Sequence, residues 1–210
     1  MDNSEMYDEE YFLRGKQSGK SLYENYRYLP NLTIPMVQAI ISNLGITKEQ
    51  TILDFGCARG YVVKAFRILG YQAWGTDASK WAIENCDPEV KPYVMDTNRI
   101  IYGYDWIIAK DVLEHVRDVD KVIPDLMNIA RVGVFAVVPL SAVDHEQYVV
   151  HDYEKDVTHI HRLTLSSWVR MFLQPGWTGE ASYRMVGVKD NYYQPGWEMG
   201  NGFIVARRGR

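Results

Sequence analysis

The segment Thr51-Ile-Leu-Asp-Phe-Gly-Cys-Ala-Arg-Gly60 constrains this chain more than any other. Thr51 to Phe55 read as a short buried strand, Gly56 and Gly60 bracket a tight turn, and Tyr61 to Leu69 carry helical spacing. A strand that feeds a glycine turn and then a helix leaves a pocket for a nucleoside-bearing ligand at the strand's end. A turn built for a dinucleotide places a further glycine three residues on, where this chain has Val63, so a pyrophosphate is disfavoured.

Downstream of Thr51 the pattern alternates. It predicts strands over 51–55, 72–76, 92–95, 104–109 and 133–138, and helices over 60–69, 79–86 and 119–131. Such alternation implies a parallel sheet with helices on both faces. A helix is expected over 165–173 with Thr164 as its N-cap, then an antiparallel pair of strands near 182–188 and 202–207. Upstream, Pro35 is placed in the first turn of a helix over 36–44 that Gly45 ends. The tyrosine-rich residues 1–30 suggest short helices joined by a loop. A polar segment, 141–163, is too long for a passive connector. One domain over 1–210 is expected, with a helical cap at 1–48, a core at 49–210 and an acceptor-side insert at 141–163.

With 47% apolar and 24% charged residues the composition is that of a soluble globular protein, and no run is long enough to span a bilayer. The acidic, polar start is unlike a secretion signal. Two cysteines, Cys57 and Cys86, imply no disulfide, so a cytoplasmic location is expected. A net charge of −4 at pH 7 argues against non-specific nucleic-acid binding. The oligomeric state is left open.

Acidic residues end successive predicted strands: Asp54, Asp77 and Asp96, followed by Asp105-Trp-Ile-Ile-Ala-Lys-Asp-Val-Leu-Glu-His-Val116. In that order and spacing, residues 50 to 140 resemble the class I S-adenosylmethionine-dependent methyltransferases. The resemblance implies a Rossmann-like, seven-stranded, mainly parallel α/β sheet whose last strand is antiparallel, behind an N-terminal helical cap. It also implies cofactor contacts. Gly56, Cys57, Ala58 and Gly60 would form the turn against the cofactor's tail and ribose, with Asp54 near its amino group. Asp77 would accept the ribose hydroxyls, and Ala78 would lie on the adenine. Asp96, with Thr97, would meet the adenine amino group, and Lys110 and Asp111 would face the methionine side. The stretches Tyr7-Asp-Glu-Glu-Tyr-Phe-Leu-Arg-Gly15 and Ser21-Leu-Tyr-Glu-Asn-Tyr-Arg27 resemble the leading segment of bacterial methyltransferases that act on glycans or small molecules, which folds over the cofactor. Tyr23, Tyr26 and Arg27 would then contact the cofactor's tail or the acceptor, and the equal alternative is a helix that packs its aromatics on the sheet. Trp177, Trp197, Tyr192 and Tyr193 are expected either to line an acceptor cleft or to be core.

The cofactor carries the activation, so the protein mainly aligns acceptor and methyl. A sugar hydroxyl is a weak acid and needs a base or a metal to lose its proton. If a helix starts near Asp111, then Asp111, Glu114 and His115 share a face. Asp111-x-x-Glu114-His115 is similar to the metal-binding Glu-x-x-Glu-His of small-RNA 3′-end 2′-O-methyltransferases and ubiquinone-pathway O-methyltransferases. That resemblance implies a divalent metal on Asp111, Glu114, His115 and His159. A metal-free site ranks ahead of it, with His159 as first choice of general base, His115 as second and Glu114 beside them. His161 would turn away from His159 in an extended segment. The expected reaction is methyl transfer to a hydroxyl, less readily an amine, of a sugar, glycan or other small metabolite. Two alternatives stand beside it: RNA 2′-O-methylation with a metal, and a catalytically idle cofactor-binding subunit.

Overall fold

In a computed structural model, which describes residues 3–97 and 103–209, the segment Thr51–Phe55 is strand β1, and its apolar side chains are buried on both faces. It pairs in parallel with β2 (Gln72–Asp77) and β4 (Tyr104–Lys110), which places Ile52 beside Ala73 on one side and Trp106 on the other. With β3 (Val94–Asp96), β5 (Ala130–Pro139), β6 (Trp177–Ser182) and β7 (Asn201–Arg208) the sheet has seven strands in the order β3-β2-β1-β4-β5-β7-β6. β7 runs antiparallel to both β5 and β6, in the architecture expected from the sequence. The strand order reverses between β1 and β4, and the crevice of an open α/β sheet forms at that switch point.

Successive residues of a strand face opposite sides, so β5 serves two cores. Val134 and Ala136 join Leu53 and Ile107 on one side, under α5 (Val119–Ile129) and α6 (Leu165–Met171). Phe135 and Val137 join Ile52 and Ile108 on the other, under α2 (Pro30–Leu44) and α3 (Tyr61–Ile68). Before these helices comes α1 (Glu9–Ser18), capped by Asp8, whose carboxylate accepts from the Tyr11 amide at 2.9 Å. The short α4 (Lys80–Glu84) is capped by Ser79, and α6 by Thr164 as expected. Among the described residues no helix is long and apolar enough to cross a membrane.

Several boundaries differ from the sequence expectation. The second helix starts at Pro30, whose fixed φ and missing N–H suit the first helical position. Pro35 then lies inside the helix, and the carbonyl it leaves unmatched belongs to exposed Asn31, where water can reach it. The strand expected near 182–188 instead ends at Ser182. Its residues from Thr178 to Ser182 are exposed, so it carries no apolar alternation to read, and positive φ values at Gly187 and Lys189 fold the chain after it. Residues 130 and 131 belong to β5 rather than to the preceding helix. The insert carries a 3₁₀ turn, His151–Lys155, and an isolated bridge between Ser141 and Tyr148.

Gly133 of β5 is a point where strands and core meet without spare room. A Cβ there would lie 2.6 Å from the Trp106 ring and 2.8 Å from the Ala206 carbonyl oxygen. Gly133→Ala should therefore cost about 1–3 kcal/mol of stability through overpacking. Urea unfolding should show a lower midpoint with an unchanged slope; an unchanged midpoint would contradict the packing described.

Candidate active site

Past β1 the chain reverses through three residues of positive φ: Gly56 at 79°, Ala58 at 47° and Gly60 at 76°. The amides of Gly56 and Cys57 both donate to the Thr76 carbonyl, at 2.8 and 3.0 Å, which ties the turn to β2. Asp77, at the end of β2, accepts from the Ala58 amide at 2.7 Å on one carboxylate oxygen and from the Ser79 amide at 2.8 Å on the other. The Ala78 amide also acts on this carboxylate. Glycine is required at position 56 because a Cβ would fall 2.4 Å from Val112 of the loop after β4.

These residues form one wall of a cavity of about 730 Å³. Gly56, Ala58, Asp77, Ala78 and Thr97 line it from the strand ends, Asp111, Val112 and His115 from the loop after β4, and Tyr7, Tyr11, Phe12 and Tyr23 from the N-terminal segment. Asp54, Cys57, Gly60 and Lys110 support this wall from behind or beside it. Asp54 is buried beneath the turn, and burial lifts its carboxyl to about 7 against the opposing charge of Lys110. Cys57 packs its sulfur against Gly75, and Gly60 abuts Val90 and Val94, so its small size serves packing rather than ligand approach. Asp96 stands in register beside Asp77 on the neighbouring strand. Tyr26 packs on Tyr23 with ring centres 4.7 Å apart, whereas Arg27 is exposed.

The aromatic residues near the C-terminus lie elsewhere. Tyr192 stacks between Tyr153 and Trp197, Tyr193 lies under the Arg184 guanidinium, and Trp177 packs on the core beneath Arg208. Of the two sequence readings of these residues, the cavity wall among the described residues includes none of them.

No α-helix starts at Asp111. That residue sits at φ 54°, and a 3₁₀ turn, Leu113–His115, follows. Asp111 therefore diverges from Glu114 and His115. Its carboxylate pairs with Lys110 and accepts from Lys189 at 2.6 Å. Burial would raise its pKa, but the two ammonium groups win and hold it well below the usual carboxylate range. Glu114 points the other way, buried, with one oxygen 4.0 Å from His115 Nε2 and 3.9 Å from His159 Nε2. Burial and the nearby Asp111 charge raise Glu114 above the ordinary range. Burial lowers both imidazoles, His159 further through His115, whose ring centre is 4.6 Å away. Nitrogen and oxygen atoms of Glu114, His115 and His159 lie within 4.8 Å of one another, a set that Asp111 does not join. Glu114 Oε2 and His159 Nδ1 are buried without a hydrogen-bond partner.

Behind His115 runs a chain of short bonds. His115 Nδ1 meets the Thr158 hydroxyl at 2.8 Å, and that hydroxyl donates to Asp156 Oδ1 at 2.6 Å. Asp156 also accepts the Thr158 amide at 3.0 Å and the Tyr11 hydroxyl at 2.8 Å. A hydroxyl has one hydrogen, and an ionised carboxylate can only accept. Thr158 therefore gives its hydrogen to Asp156 and accepts from His115 Nδ1–H, which leaves the lone pair on His115 Nε2. Sequence reasoning gave Asp156 and Thr158 no role, and from the N-terminal segment it singled out Tyr23, Tyr26 and Arg27 rather than Tyr7, Tyr11 and Phe12. The one local signal was Asp156-x-Thr158, the spacing at which an aspartate caps the amide two residues on. His161 is held apart, its Nε2 2.7 Å from the Val116 carbonyl oxygen.

Asp77→Ala removes the partner of two amides and, if the carboxylate accepts the ribose hydroxyls as the sequence resemblance implies, a ligand acceptor as well. Calorimetric affinity for S-adenosylmethionine should fall by about 1.5–3 kcal/mol, and the ligand-free protein should also melt earlier. A variant that keeps full affinity would remove Asp77 from the cofactor site.

Residues 28–182 match a family model described as a methyltransferase domain. No curated protein matches the sequence. Among solved structures, magnesium protoporphyrin IX methyltransferase from Synechocystis PCC 6803, with bound SAH, is 14% identical with a TM-score of 0.61, over 84% of this chain and 82% of that one. A SAM-dependent methyltransferase from Archaeoglobus fulgidus is 13% identical with a TM-score of 0.63, over 85% and 97%. The plantazolicin methyltransferase BamL, in complex with a triazolic desmethylPZN analogue and SAH, is 10% identical with a TM-score of 0.63, over 86% of each chain. At these identities the structural likeness is one of fold, and it is the family match over most of the chain that decides membership. The chain belongs to the methyltransferase-domain family and is a class I S-adenosylmethionine-dependent methyltransferase.

Proposed function

We propose that the protein transfers the methyl group of S-adenosylmethionine to a hydroxyl of a sugar or other small metabolite, with His115 as general base. The observation that carries this reading is the placement of His115 on the cavity wall with Nδ1 committed to Thr158. The acceptor oxygen attacks the methyl carbon, the carbon–sulfur pair leaves with the sulfur, and the acceptor proton goes to His115 Nε2. Burial keeps the imidazole neutral near pH 7, the form that accepts a proton. His159, the first choice from sequence, lies behind His115 and does not line the cavity, so the order of the two is reversed. His115→Ala should lower turnover by about 10²–10⁴-fold with cofactor affinity unchanged, and His159→Ala should cost less. Wild-type turnover in His115→Ala would end this assignment.

A second reading is favoured by the two orphaned atoms on Glu114 and His159. Glu114, His115 and His159 offer one oxygen and two nitrogens to a divalent cation, which would orient and acidify an acceptor diol. Neutral imidazoles suit a ligand role, and a cation would ionise Glu114. Chelation separates the two readings. With a base alone, activity survives EDTA and the protein carries no stoichiometric metal by mass spectrometry. With a cation, EDTA removes the metal, lowers the melting temperature and abolishes activity, which Mg²⁺ or Mn²⁺ restores. Glu114→Gln should then match the chelated protein.

A further inference from the structure

We propose that Tyr11 is a positioning residue through which the N-terminal segment sets the tautomer of His115. The inference rests on the reading of His115 as a group that acts through its Nε2 lone pair.

Tyr11 lies in α1 and Asp156 in the insert, 145 residues apart, yet the Tyr11 hydroxyl donates to Asp156 Oδ2 at 2.8 Å. Both residues are buried. The other oxygen, Oδ1, already accepts the amide and the hydroxyl of Thr158. The Tyr11 hydroxyl thus pins the second oxygen, and a buried carboxylate oxygen without a donor is costly. Without the Tyr11 hydroxyl the carboxylate gains from turning toward another donor. Thr158 then loses its fixed acceptor and is free to donate to His115 Nδ1. In that arrangement the proton of His115 moves to Nε2, and the lone pair moves to Nδ1, where the Thr158 hydroxyl occupies it.

The same segment is fastened on the cofactor side. The Ser79 hydroxyl donates to the Tyr7 carbonyl at 2.5 Å, and the Ser79 amide donates to Asp77. Phe12 stacks on Trp81 with ring centres 5.5 Å apart. On the insert side, besides Tyr11, the Val157 amide donates to the Lys20 carbonyl at 3.2 Å. One short segment therefore reaches the Asp77 carboxylate through Ser79, and His115 both through Asp156 and Thr158 and directly, where the Tyr7 ring packs edge to face with ring centres 5.9 Å apart.

Tyr11→Phe tests this, because the ring keeps its contacts with Tyr7, Phe12 and Tyr23 and loses only the hydroxyl. Ring ¹⁵N shifts of His115, read in the complex with S-adenosylhomocysteine at a pH where the imidazole is neutral, report the tautomer directly. The wild type should show Nδ1–H, and Tyr11→Phe a shift toward Nε2–H. Turnover should fall about 10-fold while KM and calorimetric affinity for the cofactor hold. Asp156→Ala should shift the tautomer in the same direction, because it removes the acceptor of the Thr158 hydroxyl. An unchanged His115 tautomer in either folded variant overturns the proposal, as does a loss of cofactor affinity that accounts for the whole loss of turnover. The two ideas fail separately. Wild-type turnover in His115→Ala removes the base while leaving the tautomer result standing, and an inactive His115→Ala with an unmoved tautomer in Tyr11→Phe removes only Tyr11.

Discussion

The loops that leave β1 and β4 touch each other, and the geometry of the site follows from that contact. The strand order reverses between these two neighbours, so their following segments diverge and leave a crevice. At its floor Gly56 meets Val112 with no room for a Cβ. This closeness needs positive φ on both sides, at Gly56 and Ala58 after β1 and at Asp111 after β4. Strain of this kind persists only where the surroundings over-determine it. Here they do: the turn after β1 hangs from Thr76 and Asp77, and Asp111 is held by its amide bond to Val137 and by two lysines.

Two carboxylates three residues apart are driven in opposite directions by their surroundings. Asp111 lies between Lys110 and Lys189 and stays charged, whereas Glu114 faces two uncharged imidazoles and its own burial favours the protonated form. Burial, neighbouring charge and hydrogen bonding are the three influences that shift such groups, and the 3₁₀ turn separates them by sending the two side chains to different neighbours. Lys189 reaches Asp111 from the segment between β6 and β7, across the rings of Tyr153 and Tyr192. The last hairpin of the sheet thus contributes to the electrostatics of a cavity whose wall it does not form.

The N-terminal segment has a comparable double role. Its aromatic rings pack edge to face and stacked, which gives a segment of poor helical periodicity a core of its own around Tyr11 and Phe12. The polar atoms at its margins then select where that small core sits, at Ser79 on one side and Asp156 on the other. Apolar contact supplies cohesion, and directional bonds supply register.

The sequence by itself determined the parallel core and the glycine turn after β1. Strand, glycine turn and helix are local patterns, and the acidic residues at strand ends are placed by the strands that carry them, so the meeting of Gly56 and Asp77 on one cavity wall follows from spacing. Positions of β6 and of the start of α2 could not, because β6 is an exposed edge strand without apolar alternation and Pro30 and Pro35 compete as helix starts. The arrangement around Asp111, Glu114 and the two histidines was decided by tertiary structure. Whether Asp111 joins Glu114 depends on Lys189, 78 residues away, and which histidine reaches the cavity depends on how the insert folds behind it. The bond between Tyr11 and Asp156 spans 145 residues. Periodicity reports only neighbours within a few residues, and a side chain's partner across the fold is set by packing that no local pattern encodes.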